Sequence, residues 1–274
     1  MPRIFAVAAL LALAACGDAA DAPAPNADGT VNAAAVANAM LEQYQESLGG
    51  VDDFTVVAAG AEARYVAAED DSTGLDRFGS PQISAVGDGE VPMAAQLLLV
   101  QVPNVPRLAE GLRTAEVQGP IQRDGRSVYV FSTDDPGVLV GEPGSAPADS
   151  ASTRAFRVYV AADTYDVFEI YQSVSTDTLE VTSRIIYSDF RDVDGVRLPF
   201  SVRQLETGLN AGISSDEKML MGGQIGLALR QTRASPAGPE RDARLAELEA
   251  QQRLIGEGIM DSELTVDEVR VGRE

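Results

Sequence analysis

Histidine and tryptophan are absent from this 274-residue chain, and cysteine and lysine occur once each, as Cys16 and Lys218. Without histidine the chain has no Ser-His-Asp or Cys-His site, no imidazole ligand for zinc and no imidazole base near neutral pH. A single cysteine cannot form a disulfide within the chain. We therefore expect no cofactor, and any bound metal would be a hard ion such as calcium, held by oxygen ligands. The missing tryptophan also disfavours sugar binding by ring stacking.

Acidic side chains outnumber basic ones by 42 to 21, which gives a formal net charge of −21 at pH 7. Such a surface is repelled by the phosphates of nucleic acid and by anionic lipid headgroups, so we expect no nucleic-acid partner. Hydrophobic residues make up 45% of the chain, which is enough for a packed core. The length is compatible with one domain after a short N-terminal segment.

The N-terminus has the features of a bacterial export signal. Arg3 precedes an apolar run from Ile4 to Ala14, which is too short to span a bilayer. The Leu-Ala-Ala triplet directly before Cys16 resembles a lipobox. This predicts a lipoprotein signal peptide over residues 1–15 and, after cleavage, diacylglyceryl and further acyl chains such as palmitate on Cys16. The alternative is an ordinary signal peptide with an incidental cysteine.

An envelope location follows from that prediction. Residues 16–32 are rich in Ala, Asp and Pro and predict a lipidated N-terminus and flexible tether. Two or more acyl chains anchor a protein stably, so the membrane is an expected partner through Cys16. We expect the rest of the chain to face the periplasm. Gly17 rather than Asp follows the cysteine, which favours the outer membrane over the inner one.

Residues 33–274 predict a single domain that is mainly β with helices. An apolar stripe indicates a helix over residues 33–48, ended by a Gly-Gly pair. Alternating apolar residues from Thr55 predict strand, with Val57 and Tyr65 on one face. Further strands are predicted over 127–132, 154–161, 167–174, 179–187, 196–205 and 263–271, the last with a phase change that suggests a bulge. Turn signals between the strands indicate an antiparallel, strongly curved sheet.

Helices are predicted at three further places. A short helix fits residues 106–117, and two longer helices fit 214–230 and 239–255, with Pro239 at the first helical position. The last two form a helical insertion over about residues 207–258. Because the second of them has one apolar stripe, it must pack on another surface.

One hairpin sequence resembles a known family. Residues 186–200 read Ile-Tyr-Ser-Asp-Phe-Arg-Asp-Val-Asp-Gly-Val-Arg-Leu-Pro-Phe. They look like a recurrent hairpin of the LolA/LolB-like superfamily of periplasmic lipoprotein carriers. Weaker matches lie in the expected order at 47–51, 124–130 and 265–271. The resemblance implies a half-open antiparallel β-barrel of roughly eleven strands, covered by helices and holding acyl chains in an apolar cavity. The long segment 207–258 departs from the family pattern.

The leading hypothesis is therefore a non-catalytic protein that binds a lipid, a lipoprotein acyl chain or another amphiphile. The candidate cavity-wall residues are apolar side chains on predicted strands: Val57, Tyr65, Val128, Val158, Val160, Phe168, Ile170, Leu198, Phe200 and Val202. The candidate lid residues come from the helical insertion: Met219, Met221, Leu245, Leu248 and Ile255. One alternative is a regulatory or scaffolding lipoprotein with a solid core that contacts an envelope protein. A remote alternative is a hydrolase that uses a carboxylate pair.

Two motifs suggest other chemistry and are better explained by local structure. Ser215 and Lys218 match the S-x-x-K nucleophile motif, but no second lysine exists for its companion K-T-G. Ser214 and Glu217 instead predict a capping box. Asp192-x-Asp194-Gly195 resembles part of a calcium loop, yet the required flanking carboxylates are missing, so a hairpin turn is expected. Residues 69–71 are acidic and most simply a solvated loop.

Overall fold

The computed structural model describes residues 31–48, 50–67, 78, 80–87, 90–99, 104–141, 143–144, 153–177 and 179–272. The predicted signal peptide, Cys16, most of the tether and the acidic run 69–71 lie outside these residues. The described chain is an α+β fold with two antiparallel sheets of four and seven strands, which do not close into a barrel.

The helices are α1 (Ala33–Leu48), α2 (Met93–Leu99), α3 (Val105–Leu112), α4 (Ser215–Ala234) and α5 (Pro239–Glu257), with one 3₁₀ turn at Pro136–Val140. The strands are β1 (Asp53–Ala58), β2 (Ala61–Val66), β3 (Gln82–Ala85), β4 (Glu116–Arg123), β5 (Arg126–Thr133), β6 (Thr153–Ala161), β7 (Val167–Ser175), β8 (Glu180–Val193), β9 (Val196–Thr207), β10 (Met260–Thr265) and β11 (Glu268–Gly272).

The C-terminal strands connect the two sheets. The small sheet has the order β11-β1-β2-β3 and the large sheet the order β10-β9-β8-β7-β6-β5-β4. Between β10 and β11, the Val266 amide donates to the Phe200 carbonyl and the Asp267 amide to the Val57 carbonyl, both at 2.8 Å. The prediction of one bulged strand over 263–271 is therefore wrong. The phase change marks the point where the chain passes from one sheet to the other.

Most predicted elements are found with small changes of boundary. The predicted helix over 106–117 is too long, because α3 ends at Leu112 and β4 begins at Glu116. Strand β4 was not predicted, since Gly119-Pro120 interrupts its alternation. The capping box is confirmed: the Ser214 hydroxyl accepts from the Glu217 amide, and the Glu217 carboxylate accepts from the Ser214 amide.

The main hydrophobic core lies between α1–α3 and the inner faces of both sheets. Two smaller clusters are separate from it. One lies on the opposite face of the large sheet and contains Val128, Val130, Tyr159 and Phe168. The other lies between α4 and α5 and contains Ile225, Leu229, Leu248 and Ile255. The α4–α5 hairpin thus buries its apolar stripe mainly against itself, which differs from the predicted lid over the sheets.

Candidate functional site

A cavity of about 210 Å³ lies between α1, the β1–β2 hairpin and one end of the large sheet. The described residues that line it include none from α4 or α5. Its apolar lining consists of Met40, Tyr44, Leu48, Phe54, Tyr65, Phe78, Pro81, Val105, Tyr165, Val167, Phe190, Leu198 and Pro199. Its polar lining consists of Gln43, Ser47, Ser80, Asn104, Asp166 and Arg197.

Aromatic rings form the wall contributed by the small sheet. Phe54 on β1 and Tyr65 on β2 are directly paired across the hairpin and stack with their centroids 4.5 Å apart. Phe78 contacts Phe54 edge to face at 5.1 Å. The Tyr65 hydroxyl donates a 2.6 Å hydrogen bond to the Leu99 carbonyl, and burial raises its pKa. This wall is therefore uncharged at physiological pH and suited to apolar contact.

An ion pair forms a polar side of the cavity. The Arg197 guanidinium donates to both carboxylate oxygens of Asp166, from Nε at 3.0 and 3.1 Å and from Nη2 at 2.9 Å. Its Nη1 donates to the more exposed Asp192 at 3.2 Å. The hydrogen bond with Asp166 raises the pKa of Arg197 above its ordinary value, so this side chain stays charged. This side can therefore offer both a fixed cation and a carboxylate to a polar group at the cavity.

Helix α1 is held against this ion pair by one serine. The Ser47 hydroxyl accepts from the Arg197 backbone amide at 2.8 Å and donates to the Gly195 carbonyl at 3.3 Å. The last turn of α1 is thereby fixed to the β8–β9 turn, which carries the family-like motif. The cavity geometry depends on this long-range contact.

Two buried tyrosine hydroxyls have no hydrogen-bond partner among the described residues. They belong to Tyr165, which lines the cavity, and Tyr129, whose ring lies parallel to that of Tyr165 with centroids 6.5 Å apart. Burial raises the pKa of both, and for Tyr165 the neighbouring Tyr129 and Glu42 raise it further. An unpaired buried hydroxyl costs about 1–3 kcal/mol, so a ligand or water that bonds to one would recover part of this cost.

The predicted wall residues occupy three different places. Tyr65 and Leu198 line the cavity. Val158, Val160, Phe200 and Val202 belong to the main core, the partly buried Ile170 packs against that core, and none of the five lines the cavity. Leu198 and Val202 also border a second cavity of only about 10 Å³, too small for more than a water molecule.

Three predicted wall residues lie on other faces. Val128 and Phe168 belong to the cluster on the opposite face of the large sheet. Both phases of the β5 sequence are apolar, so alternation alone could not choose between them. Val57 lies on the face opposite Phe54 and Val56, paired with Glu62. The predicted common face of Val57 and Tyr65 is wrong because Ala59 and Gly60 form a tight turn that reverses the chain.

The predicted lid residues do not reach the cavity. Met219 and Met221 are exposed, whereas Leu248 and Ile255 are buried in the α4–α5 cluster with Leu245 against them. The sequence predicts that α5 covers the sheets because its apolar stripe needs a surface to pack on. Helix α4 supplies that surface.

Sequence reasoning missed most of the lining residues, among them all six polar ones. Arg197 alternates in sequence with the apolar residues of β9, and Asp166 stands in a turn without a motif. Phe78 follows a stretch with no clear pattern. The one usable signal was the serine near the end of α1, because Ser47 falls within the weak family match at 47–51.

The buried carboxylates of the large sheet are engaged by arginines. Glu169, only 2% exposed, accepts from Arg123 at 2.8 Å and from Arg184 at 2.8 and 3.1 Å. The Arg123 guanidinium also lies 3.8 Å from the centre of the Tyr159 ring. These contacts have a structural role on the face away from the cavity. Across the described residues, no group of three or more acidic, histidine or cysteine side chains could hold a metal ion.

No family model, curated protein or solved structure matches this chain. Function must therefore be argued from the cavity and its surroundings. Among the described residues, none of the helices is long and apolar enough to cross a membrane.

Proposed function

We propose that this protein is a non-catalytic binding protein of the bacterial envelope that holds part of an amphiphile in the 210 Å³ cavity. The observation that carries the proposal is the cavity itself, whose lining contains both the stacked Phe54 and Tyr65 rings and the Arg197–Asp166 pair. An apolar group fits against the rings, while a polar group lies near the ion pair. Lipids and lipoprotein acyl chains have this combination of groups.

The size of the cavity limits what enters it. A dry apolar cavity of about 150 Å³ holds a molecule the size of benzene, and pockets for drug-sized ligands begin at about 300 Å³. We infer that one segment of an acyl chain enters, rather than a whole lipid. The remainder of the ligand extends past the polar side, where Gln43 and Ser80 also line the cavity.

A half-open barrel, as in the LolA/LolB-like superfamily, is the arrangement we propose for the two sheets. The continuous β10–β11 segment joins their edges, and one hydrophobic core contacts both of them. In this arrangement α1 closes one opening of the curved sheet and provides a wall of the cavity.

Anchoring through a lipidated Cys16 is part of the same proposal. The acidic surface has no evident electrostatic attraction to anionic membranes, so acyl chains would provide the attachment. Replacing Cys16 by Ser should abolish incorporation of labelled palmitate and release the protein from membrane fractions. Unchanged fractionation of this variant would contradict the anchor.

Blocking the cavity tests the binding function. Gln43 is half-buried at the cavity, whereas Gln45, two residues along α1, is exposed and does not line it. We expect Gln43→Trp to weaken binding of an environment-sensitive fluorescent fatty acid at least tenfold. Gln45→Trp makes the same substitution on the same helix and should leave binding unchanged. Equal binding by both variants would place the ligand elsewhere.

Native mass spectrometry of the gently purified protein separates this proposal from the alternatives. A co-purifying mass that organic solvent removes supports the amphiphile. A bare protein mass together with no fatty-acid binding would instead favour a regulatory or scaffolding lipoprotein. The hydrolase alternative has the least support, because the buried carboxylates Asp166 and Glu169 are each held by arginines.

A further inference from the structure

Helix α4 carries an exposed apolar stripe that its own hairpin does not use. Met219, Leu220 and Leu227 are 77%, 64% and 54% exposed. Residues 219–229 contain no charged side chain, although charged residues make up 23% of the whole chain. The buried residues Ile225 and Leu229 face α5, so this stripe lies on the other side of the helix. Exposed apolar surface of this kind marks an interaction site.

The spacing along the stripe is that of a helix–helix seam. Asp216, Leu220, Gly223, Leu227 and Arg230 are all exposed and follow one another at intervals of four and three residues. Apolar residues at this alternation keep one line of contact between two paired helices. The stripe therefore fits another helix better than a flat surface.

The charges at its two ends are opposite, and no described residue neutralises either of them. Asp216 lies in the first turn of α4, and Arg230 lies near its end. Neither forms an ion pair with any residue that the structure describes; the Arg230 guanidinium only donates to the Gly226 carbonyl of its own helix at 3.2 Å. Glu217, by contrast, is used in the capping box. The free acid and the free base are therefore at opposite ends of the stripe.

This pattern is self-complementary in one orientation. A parallel pair of α4 helices would place like charges beside each other. An antiparallel pair with its two-fold axis near Gly223 brings Asp216 of each helix opposite Arg230 of the other. The same operation places Met219 and Leu220 opposite Leu227. Such an isologous contact is the usual form of a homodimer interface.

Three glycines support a close approach from outside the protomer. Gly222, Gly223 and Gly226 lie inside α4, where each costs roughly 1 kcal/mol relative to alanine. A Cβ built at any of them would meet no atom within 4 Å. Packing inside the protomer therefore does not require them, and the open space beside Gly223 lets a second helix cross there.

The α4–α5 hairpin carries little net charge, so electrostatic repulsion opposes pairing through the hairpin less than pairing through the rest of the chain. Residues 215–257 contain six basic and seven acidic side chains, whereas the full chain has a net charge of −21. Long-range repulsion between two copies is thus weakest when they meet through their hairpins.

We propose that α4 is a homodimerisation surface, and that two copies of this chain pair through antiparallel α4 helices crossing near Gly223. A contact of one helix pair is small, so the dimer is a weak, reversible one. It does not depend on the cavity or its ligand.

Disulfide trapping tests the geometry directly. Cys16 is the only cysteine, so the full chain carrying Cys16→Ser is a cysteine-free background. Adding Gly223→Cys places a thiol close to its symmetry mate, and mild oxidation should convert most of the protein to a disulfide-linked dimer. Gly256→Cys, which adds a thiol to an equally open position on α5, is the matched control and should remain monomeric. Equal cross-linking of the two variants, or none at Gly223→Cys, would overturn the proposal.

Charge reversal separates a second copy from other partners. In sedimentation at fixed detergent concentration, Asp216→Arg should weaken self-association of the Cys16→Ser chain at least fivefold. Adding Arg230→Asp to that variant restores the opposite pairing and should restore the dimer. Circular dichroism checks that the hairpin is still folded. A double variant that self-associates as weakly as the single one contradicts the antiparallel pair.

Vesicle binding tests for a membrane surface. If the protein is a monomer that binds phosphatidylethanolamine vesicles, and Leu227→Glu abolishes this binding, the stripe is a membrane surface and not a dimer interface.

Discussion

The Arg197 guanidinium on β9 donates to the carboxylate of Asp166, directly before β7, with three donor–acceptor distances of 2.9–3.1 Å. Both side chains are largely buried, at 23% and 12% exposure. The two residues are far apart in sequence but meet at the cavity, beside the end of α1. This pair therefore links the stability of the large sheet to the shape of the site.

Removing the arginine should leave the buried Asp166 carboxylate without a cation, with the Thr164 hydroxyl at 2.7 Å as its remaining hydrogen-bond donor. We expect Arg197→Met to lower the free energy of unfolding by about 1.5–3 kcal/mol, the range for hydrogen bonds to charged groups. Urea unfolding followed by circular dichroism measures this. Arg244→Met, which removes an exposed pair with Glu247 on α5, should shift the midpoint little. Equal effects from both variants would mean that the Asp166 site is more solvated than its geometry indicates.

The β8–β9 turn requires glycine at its second position. Asp194 and Gly195 have φ values of +48° and +81°, which confirms the hairpin turn expected at these residues. Gly195→Val should lower stability by about 1 kcal/mol or more, because a Cβ is disfavoured in this region and β-branching adds strain. Gly212→Val, at an open position without positive φ, is the control and should cost less in a thermal melt. The reverse order would contradict the turn assignment.

Alkaline pH should destabilise the fold through its tyrosines. Burial raises the pKa of Tyr65, Tyr129, Tyr165 and Tyr187 above the ordinary value of 10.0. A raised folded-state pKa gives stability that is complete below the unfolded pKa and is lost as pH rises above it. We therefore expect stability to fall from about pH 10 upward.

Absorbance at 295 nm follows this ionisation without interference, since the chain has seven tyrosines and no tryptophan. At pH 11 the native protein should show fewer tyrosinates than the denatured protein, because burial raises the pKa of these four tyrosines. Full ionisation of all seven before unfolding, detected by circular dichroism, would show that these rings are accessible to water.

The α4–α5 hairpin should be removable as a unit. Its buried cluster is separate from the main core, and the Leu209 amide donates to the Gly258 carbonyl at 3.1 Å, so the two ends of the hairpin are adjacent. Replacing residues 212–257 by two glycines should preserve the β signal in circular dichroism and the cooperative thermal transition.

Deleting residues 235–257 alone should behave differently. It removes α5 and exposes Ile225 and Leu229, so we expect aggregation in light scattering. Loss of the β signal in the larger deletion would show that the hairpin supports the sheets after all.

Local signals were sufficient for most of the secondary structure. The limits of α1 match the prediction, and the capping box at Ser214, Pro239 in the first turn of α5 and the turn at Gly195 are all found. Each depends on residues within a few positions of one another, where backbone geometry and short-range hydrogen bonds dominate. The absence of histidine likewise bounds the chemistry without any structure.

The tertiary structure decided which face of each strand is buried and which residues form the cavity. Val128 and Tyr129 are both buried but on opposite faces, so their apolar character could not identify the inner one. Asp166 and Arg197 became a site only when the β6–β7 turn and the start of β9 came together beside the end of α1. Hydrophobic periodicity shows that a face is covered but not which element covers it, because the hydrophobic effect is non-directional. Only the tertiary structure shows that α4 covers the apolar face of α5.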